Sequence, residues 1–189
     1  MNILEFGKIV GKLKKIKRTG WVRNGVLEPE SVADHELRLA TIALVTAHDL
    51  NVNQEKIVRM ALIHDIAEAE VGDIVINRGG VVTGDSEKYL KERQAIEYIF
   101  GGLNDSDELI ALWDEYAHQE SKEARILKQL NSLEMVMSAL EYEETVDQSA
   151  KLNEFWESAR KTIQEPLIAD WFNKLESERK ILVKEKSKK

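Results

Sequence analysis

The sequence predicts an all-α protein built as a single helical bundle, and three observations carry that prediction. Apolar residues recur at helical spacing nearly throughout, with no sustained period-2 alternation of the kind a half-buried strand requires. Only two prolines and ten glycines punctuate the chain, so its elements meet few breakers. At 189 residues it fits one domain of ordinary size, able to bury roughly 70% of the surface its unfolded form exposes.

An opening helix carries Phe6, Ile9, Val10, Leu13 and Ile16 at helical spacing and stops near Gly20. "NGVLEPE" is then a loop. Ser31 and Asp34 in "SVAD" form a capping box with aspartate in place of glutamate. They start a helix that runs to about Asp49 and holds His35 in its first turn. Asn53 caps the next helix, whose stripe of Ile57, Val58, Ala61 and Leu62 leads into "RMALIHDIAEAEVGDI" and ends near Gly72. Residues 75–85, "VINRGGVVTGD", form a glycine-containing loop, and Ser86 caps a charged helix ending at Gly101 and Gly102. "DSDE" from Asp105 starts a helix with Leu109, Leu112, Trp113 and Tyr116. Ser121 begins the longest helix, to about Glu144, with Ile126, Leu130, Leu133, Met137 and Leu140 as its buried stripe. Phe155 and Trp156 lie on a further helix, and Trp171, Phe172 and Leu175 on a last one beginning at Pro166. The domain covers residues 1–183, and the basic tail 184–189 is expected to be disordered.

Composition narrows the function. The chain has no cysteine, which removes disulfides, thiolate metal sites and cysteine nucleophiles; a metal here is held by imidazole, carboxylate or carbonyl groups. The formal net charge of -7 disfavours a nucleic-acid polymer, whose binding depends on lysine and arginine meeting phosphates. Lys12 to Arg18, "KLKKIKR", reads as the solvated face of an amphipathic helix, with Arg18 as the one residue of further interest. No apolar run approaches the ~20 residues that cross a bilayer, and the first residues lack the apolar core of a signal peptide. A cytoplasmic protein with no membrane contact is expected.

The chemistry concentrates in "RMALIHDIAEAEVGDI", Arg59 to Ile74. On a continuous helix His64 and Glu68 share a face, while Asp65 is turned by about 100° and remains a neighbour of Glu68. Burying an imidazole and two carboxylates on an otherwise apolar helix is costly unless their charge is compensated, and a divalent cation is the simplest compensation. His64 and Asp65 supply two ligands. His35 on the preceding helix is the natural third, because His48 and His118 fall near helix ends and read as solvated. Glu70 points elsewhere and is expected to be solvated or paired with a lysine or arginine. Glu141 and Glu143 read as surface charge.

His35, "HDIAE" at 64–68 and "GD" at 72–73, in that order, resemble the HD-domain metal-dependent phosphohydrolases. "LKKIKRTGW", "PESVADHELRLA", "ALIHDIAEAEVGDI", "LWDEYAHQESKEARILKQL" and "LEMVMSALEYE" further resemble its 5'-deoxynucleotidase branch. The resemblance spans roughly residues 10–180. It implies an HD-type helical bundle, hydrolysis of (deoxy)nucleoside 5'-monophosphates to nucleoside and phosphate, a divalent metal (Mn, Co or Mg) and a homodimer. It makes His35, His64 and Asp65 ligands of the primary metal. Glu68 and Asp73, with the carbonyl of Ile74, correspond to positions near a second metal or the reacting phosphate and sugar, with Glu68 the acid or water-orienting base and Asp73 supporting it. Arg18 matches a residue at the substrate phosphate and Trp21 an aromatic near the nucleoside, although a core tryptophan closing the first helix explains Trp21 equally well.

One position departs from the resemblance. Where the family has aspartate as the final metal ligand, this chain has Asn131, whose carboxamide oxygen can coordinate a hard metal but brings no charge. Three readings stay open: a weaker working site, a shifted metal preference, or a nucleotide-binding protein without catalysis. A different phosphate ester is the enzymatic alternative. Glu134, one turn on, also belongs to the family pattern and offers no clear replacement.

Overall fold

The computed structural model describes residues 2–74, 83–145, 149–186 and 188. The described residues form α1 (Ile3–Val10), a 3-10 turn (Gly11–Lys14), α2 (Thr19–Arg23), α3 (Val32–Thr46), α4 (Gln54–Ile63) and α5 (Glu68–Val71). These are followed by α6 (Thr83–Phe100), α7 (Ser106–His118), α8 (Lys122–Thr145), α9 (Ser149–Thr162) and α10 (Pro166–Lys186). Among the described residues there is no strand beyond one isolated antiparallel bridge, Lys17 to Ser31.

The 24-residue α8 is the axle of the bundle and packs against α3, α4, α7, α9 and α10. That position explains its composition: Leu127, Leu130 and Leu133 are fully buried, as are Val136 and Ala139 on other sides, so the helix shows no single apolar stripe. Met137, expected on that stripe, is only half-buried. α3 and α4 form the tightest helix pair, with Val32, Leu39 and Ala43 of one and Ile57, Met60 and Ala61 of the other in the core. α6 closes the side formed by α5 and α7. No helix among the described residues is long and apolar enough to cross a membrane.

Local sequence signals account for several starts. Ser31 Oγ accepts the Asp34 N–H at 3.2 Å and Asp34 Oδ2 accepts the Ser31 N–H at 2.8 Å, the expected reciprocal cap of α3. Asn53 caps α4 by accepting the Lys56 N–H at 3.0 Å. Ser121 Oγ accepts the Ala124 N–H at 3.1 Å ahead of α8.

Elsewhere the structure corrects the sequence reading. The opening helix is not continuous. α1 gives way to the 3-10 turn at Gly11, and the chain then extends so that Ile16 O accepts the Val32 N–H at 2.9 Å and the Arg18 N–H donates to Glu30 O at 3.2 Å. Those long-range bonds are available only to non-helical backbone, and they carry Arg18 to the start of α3. The next expected helix, from Asn53 to Gly72, is broken at 64–67. There the ladder tightens to three-residue bonds, Ile66 to Ile63 at 3.3 Å and Glu68 to Asp65 at 2.9 Å. Gly72 ends α5 at φ +74, in the left-handed region open to glycine.

At the far end, α6 begins at Thr83 rather than Ser86, and residues 75–82 of the expected glycine loop lie outside the described residues. α10 continues to Lys186, so the first three residues of the expected disordered tail are helical. No glycine or proline follows Pro166 to stop it, and Lys184 and Lys186 suit the negative end of the helix dipole. Glu143 is not surface charge. It is 1% exposed and accepts two hydrogen bonds from Arg179, at 2.7 and 2.8 Å, while the same guanidinium lies over the Trp156 ring.

Candidate active site

The break in the helix at His64 builds the site. His64 is the C-cap of α4, and its neighbourhood replaces lost backbone bonds with side-chain ones: Trp113 Nε1 of α7 donates to the His64 carbonyl at 3.1 Å, and His64 Nδ1 donates to Ala61 O at 2.8 Å. With Nδ1 committed to a carbonyl, only Nε2 remains for chemistry. His35, on α3, is held the same way. Its Nδ1 bonds Glu134 Oε2 of α8 at 2.5 Å, and its fully buried Nε2 has no hydrogen-bond partner. The two imidazole rings meet edge to face, 5.4 Å between centroids.

Asp65 completes the cluster. Its Oδ2 lies 3.2 Å from His64 Nε2 and 3.8 Å from His35 Nε2, and one ligating atom from each of the three residues lies within 4.8 Å of the others. Asp65 Oδ2 also accepts from Arg18 Nη1 at 2.9 Å. Burial opposes ionisation of Asp65, but His64 and Arg18 outweigh it and hold the carboxyl well below the usual range. Burial, with Arg18 beside it, holds His35 below its ordinary value and neutral, as a metal ligand must be. His64 is opposite in sense: burial works against its charge, yet Asp65 raises its pKa. His64 and Asp65 thus compensate each other's charge across 3.2 Å, and a cation between Nε2 and Oδ2 would provide the same compensation.

These donors fit a divalent metal. Two imidazole nitrogens with fixed tautomers and one ionised carboxylate oxygen converge, and each histidine has its other nitrogen anchored by a carboxylate or carbonyl, the arrangement that orients metal-bound histidines generally. A second acidic group, Glu30, His35 and Glu134, also falls within ligand distance. Its charge is already met by Arg38, which donates from Nε to Glu134 Oε1 at 2.8 Å and lies 3.5 Å from Glu30 through Nη2.

Asn131 stands beside the cluster, its Nδ2 3.3 Å from His64 Nε2 and 3.2 Å from the Tyr116 hydroxyl. Amide nitrogen and oxygen exchange places by a half-turn of the carboxamide, so either atom can face the histidine. The cluster opens into a cavity of about 660 Å³ bordered by Arg18, Glu68, Asp73, Ile74 and Asn131, with Lys88 and Glu92 on the α6 side. Glu68 is 2% exposed and its Oε2 has no hydrogen-bond partner. Burial, reinforced by Asp65 and Asp73, pushes its pKa up to about 10. Asp73 Oδ2 accepts the Thr19 N–H at 2.5 Å and its carbonyl accepts from Thr19 Oγ1 at 2.9 Å, so this residue fixes the start of α2 just after Arg18. Among the described residues, no group of three ligating side chains includes Glu68 or Asp73.

Trp21 borders the same cavity but is 2% exposed, with Phe155 at 4.3 Å between centroids and Nε1 donating to Glu30 at 2.8 Å. It is a core residue forming the cavity wall. Glu70, expected to be solvated or paired, meets Lys12 at 2.6 Å, and His48 is exposed. Sequence reasoning missed what Glu134 does. A glutamate inside the apolar run Leu130, Leu133, Val136 was the available signal, since a fully buried carboxylate requires a partner. It also passed over Glu36, 7% exposed, whose pKa burial pushes up to about 8.

A helical bundle that brings a histidine on one helix to a His-Asp pair on the next defines the HD domain class. Residues 10–171 match the HD domain family, and the chain belongs to it. The more particular likeness is to 5'-deoxynucleotidases. The chain is 40% identical over 180 residues to the 5'-deoxynucleotidase HDDC2 of Danio rerio, covering 94% of this chain and 88% of that one. Against the human protein of the same name it is 39% identical, covering 94% and 86%. Among solved structures, a protein from Pyrococcus horikoshii OT3 superposes with a TM-score of 0.77 at 31% identity, covering 92% of this chain and 98% of that one. A "predicted metal-dependent phosphohydrolase" from Magnetospirillum magnetotacticum MS-1 superposes with a TM-score of 0.71 at 26% identity, covering 95% and 91%.

Proposed function

We propose that the protein is a metal-dependent phosphomonoesterase that hydrolyses deoxynucleoside 5'-monophosphates to nucleoside and phosphate. The observation that carries this reading is the convergence of His35 Nε2, His64 Nε2 and Asp65 Oδ2 beside Arg18, with His64, Asp65 and Arg18 lining one cavity. The likeness to 5'-deoxynucleotidases over nearly the whole chain supports it. His35, His64 and Asp65 would hold a divalent cation such as Mn, Co or Mg, with the Asn131 carboxamide oxygen alongside. When bound, that cation lowers the pKa of water and withdraws charge from a phosphate oxygen.

The remaining steps belong to the protein. Arg18 presents a planar guanidinium suited to two phosphate oxygens. Asp73 holds the α2 start that aims Arg18. Glu68 keeps a proton at neutral pH, and its carboxylic acid is the group that can protonate the leaving 5' oxygen. A homodimer working in the cytoplasm belongs to the same reading, with Leu37, Leu44 and Val45 on one exposed face of α3 as surface a second copy would cover.

The test is phosphate release from a panel of ribo- and deoxynucleoside 5'-monophosphates with added Mn, Co or Mg. Deoxynucleotides should be turned over with at least one metal. His64→Ala should abolish release while far-ultraviolet circular dichroism keeps its helical signal. If no divalent cation supports turnover of any monophosphate, the enzymatic reading is lost, and nucleotide binding without catalysis, which the neutral Asn131 favours, takes its place.

A further inference from the structure

One wall of the cavity is built by α6, a helix that contributes nothing to the His35, His64 and Asp65 cluster. Lys88 and Glu92 border the cavity from that helix, one turn apart, with the ammonium 3.4 Å from the carboxylate. Their side chains keep only 28% and 15% of their exposure. The neighbouring pair Lys91 and Glu87, on the solvated side of the same helix, keeps 55% and 70%. An ammonium is strongly hydrated, and an i,i+4 pair by itself stabilises a helix too weakly to explain turning one inward.

What Lys88 faces supplies the reason. Burial works against its charge, but its acidic neighbours, Glu92 first and then Asp65, raise its pKa and keep it protonated. The cavity thus holds a permanent point charge beside carboxylates that would otherwise repel an anion. Arg18 also borders the cavity, and it is already bonded to Asp65 at 2.9 Å.

We propose that Lys88 is a further substrate-binding residue, whose ammonium, steered by Glu92, meets the phosphoryl group of the monophosphate from the α6 wall while Arg18 meets it from the start of α2. This rests on reading the cavity as a phosphomonoesterase site. Lysine suits the task as a mobile point charge, where arginine would demand planar, two-point contact. Glu92 is a positioning residue here, since it acts through Lys88.

Calorimetric titration of inorganic phosphate into the metal-loaded protein tests this, with Lys88→Met, Lys88→Arg and Lys91→Met as variants and bound metal measured in each. Lys88→Met should weaken phosphate binding by about tenfold or more, the usual worth of one charge-assisted contact. Its metal content and its affinity for deoxyadenosine, which carries no phosphate, should not change. Lys88→Arg should recover most of the affinity, and Lys91→Met should match the wild type. The proposal is overturned if Lys88→Met binds phosphate as the wild type does, if it weakens phosphate and deoxyadenosine equally, or if it loses metal. Failure of the wild type to hydrolyse any monophosphate would defeat the enzymatic reading alone, because phosphate affinity is measured without turnover.

Discussion

Glu134→Gln isolates the device that readies His35. The carboxylate is fully buried, takes the His35 Nδ1–H on Oε2 at 2.5 Å and Arg38 Nε–H on Oε1 at 2.8 Å. Both oxygens thus accept from donors. Glutamine is nearly isosteric but offers one oxygen and one NH2. If its oxygen stays on Arg38, whose guanidinium can only donate, its NH2 faces His35 and pushes the imidazole proton from Nδ1 to Nε2. That consumes the lone pair a metal needs. If the amide turns over, a donor faces Arg38 instead, and the half-buried guanidinium loses its acceptor on this side. Loss of such an orienting partner typically costs 10–100-fold in metal affinity, or ~1.4–2.7 kcal/mol, and a donor left unpaired on the half-buried Arg38 costs about 1 kcal/mol of folding stability, the lower end for such groups because water reaches it. Calorimetric Mn or Co titration, with urea unfolding of the apo protein, measures both. Wild-type metal affinity in Glu134→Gln would refute the argument that His35 is a ligand whose tautomer is set from α8. Loss of stability with unchanged metal affinity would make Glu134 a purely structural carboxylate.

Two further predictions concern charge. Asn131→Asp places a carboxylate beside His64 Nε2, 3.3 Å from the present amide nitrogen; metal affinity should rise by about tenfold or more with turnover equal or greater, and unchanged affinity in the same titration would show that residue 131 is not a ligand. In chelator, stability should fall as pH rises from about 5 towards 9. The Glu68 carboxyl has its pKa raised from 4.5 to about 10, so above pH 4.5 the unfolded chain ionises while the folded one keeps its proton. The loss is at most ~1.4 kcal/mol per pH unit for this group. Glu36, raised to about 8, acts in the same direction up to that pH. Urea midpoints across this range should slope less in Glu68→Gln than in the wild type, and equal slopes would sink the assignment.

Much of the fold was legible because it is dictated locally. Helical spacing, the Ser31 and Asn53 caps and the Pro166 start all act within a few residues, and the structure places them as expected. The breaks were not legible, because what causes them is distant. The apolar period runs unbroken through Ile63, Ile66, Ala67 and Ala69, all buried, so nothing local announces that the backbone ladder tightens at 64–67. The bond that stabilises the break comes from Trp113, 49 residues on. The same holds in the site. His35, His64 and Asp65 could be picked out by residue type and order, but Glu134 reaches His35 across 99 residues and Arg179 reaches Glu143 across 36. Lys88 was hidden in the charged run "DSEKYLKERQ", where only the packing of α6 distinguishes it from Lys91.

The break at His64 also explains why the site can form where the sequence clusters so much charge. On an unbroken helix, successive side chains are turned by about 100°, and His64 and Glu68 would share one face while Asp65 pointed away from it. The tightened turn changes that division. Asp65 Oδ2 lies within 3.8 Å of both histidines and is anchored by Arg18. Glu68 opens α5 as a nearly buried group at the cavity. The ionised carboxylate therefore faces the imidazoles and the protonated one faces the cavity. A metal needs the first and a leaving oxygen the second. The two carboxyl groups are three residues apart and carry opposite protonation states, because only Asp65 is given cationic partners close enough to offset its burial.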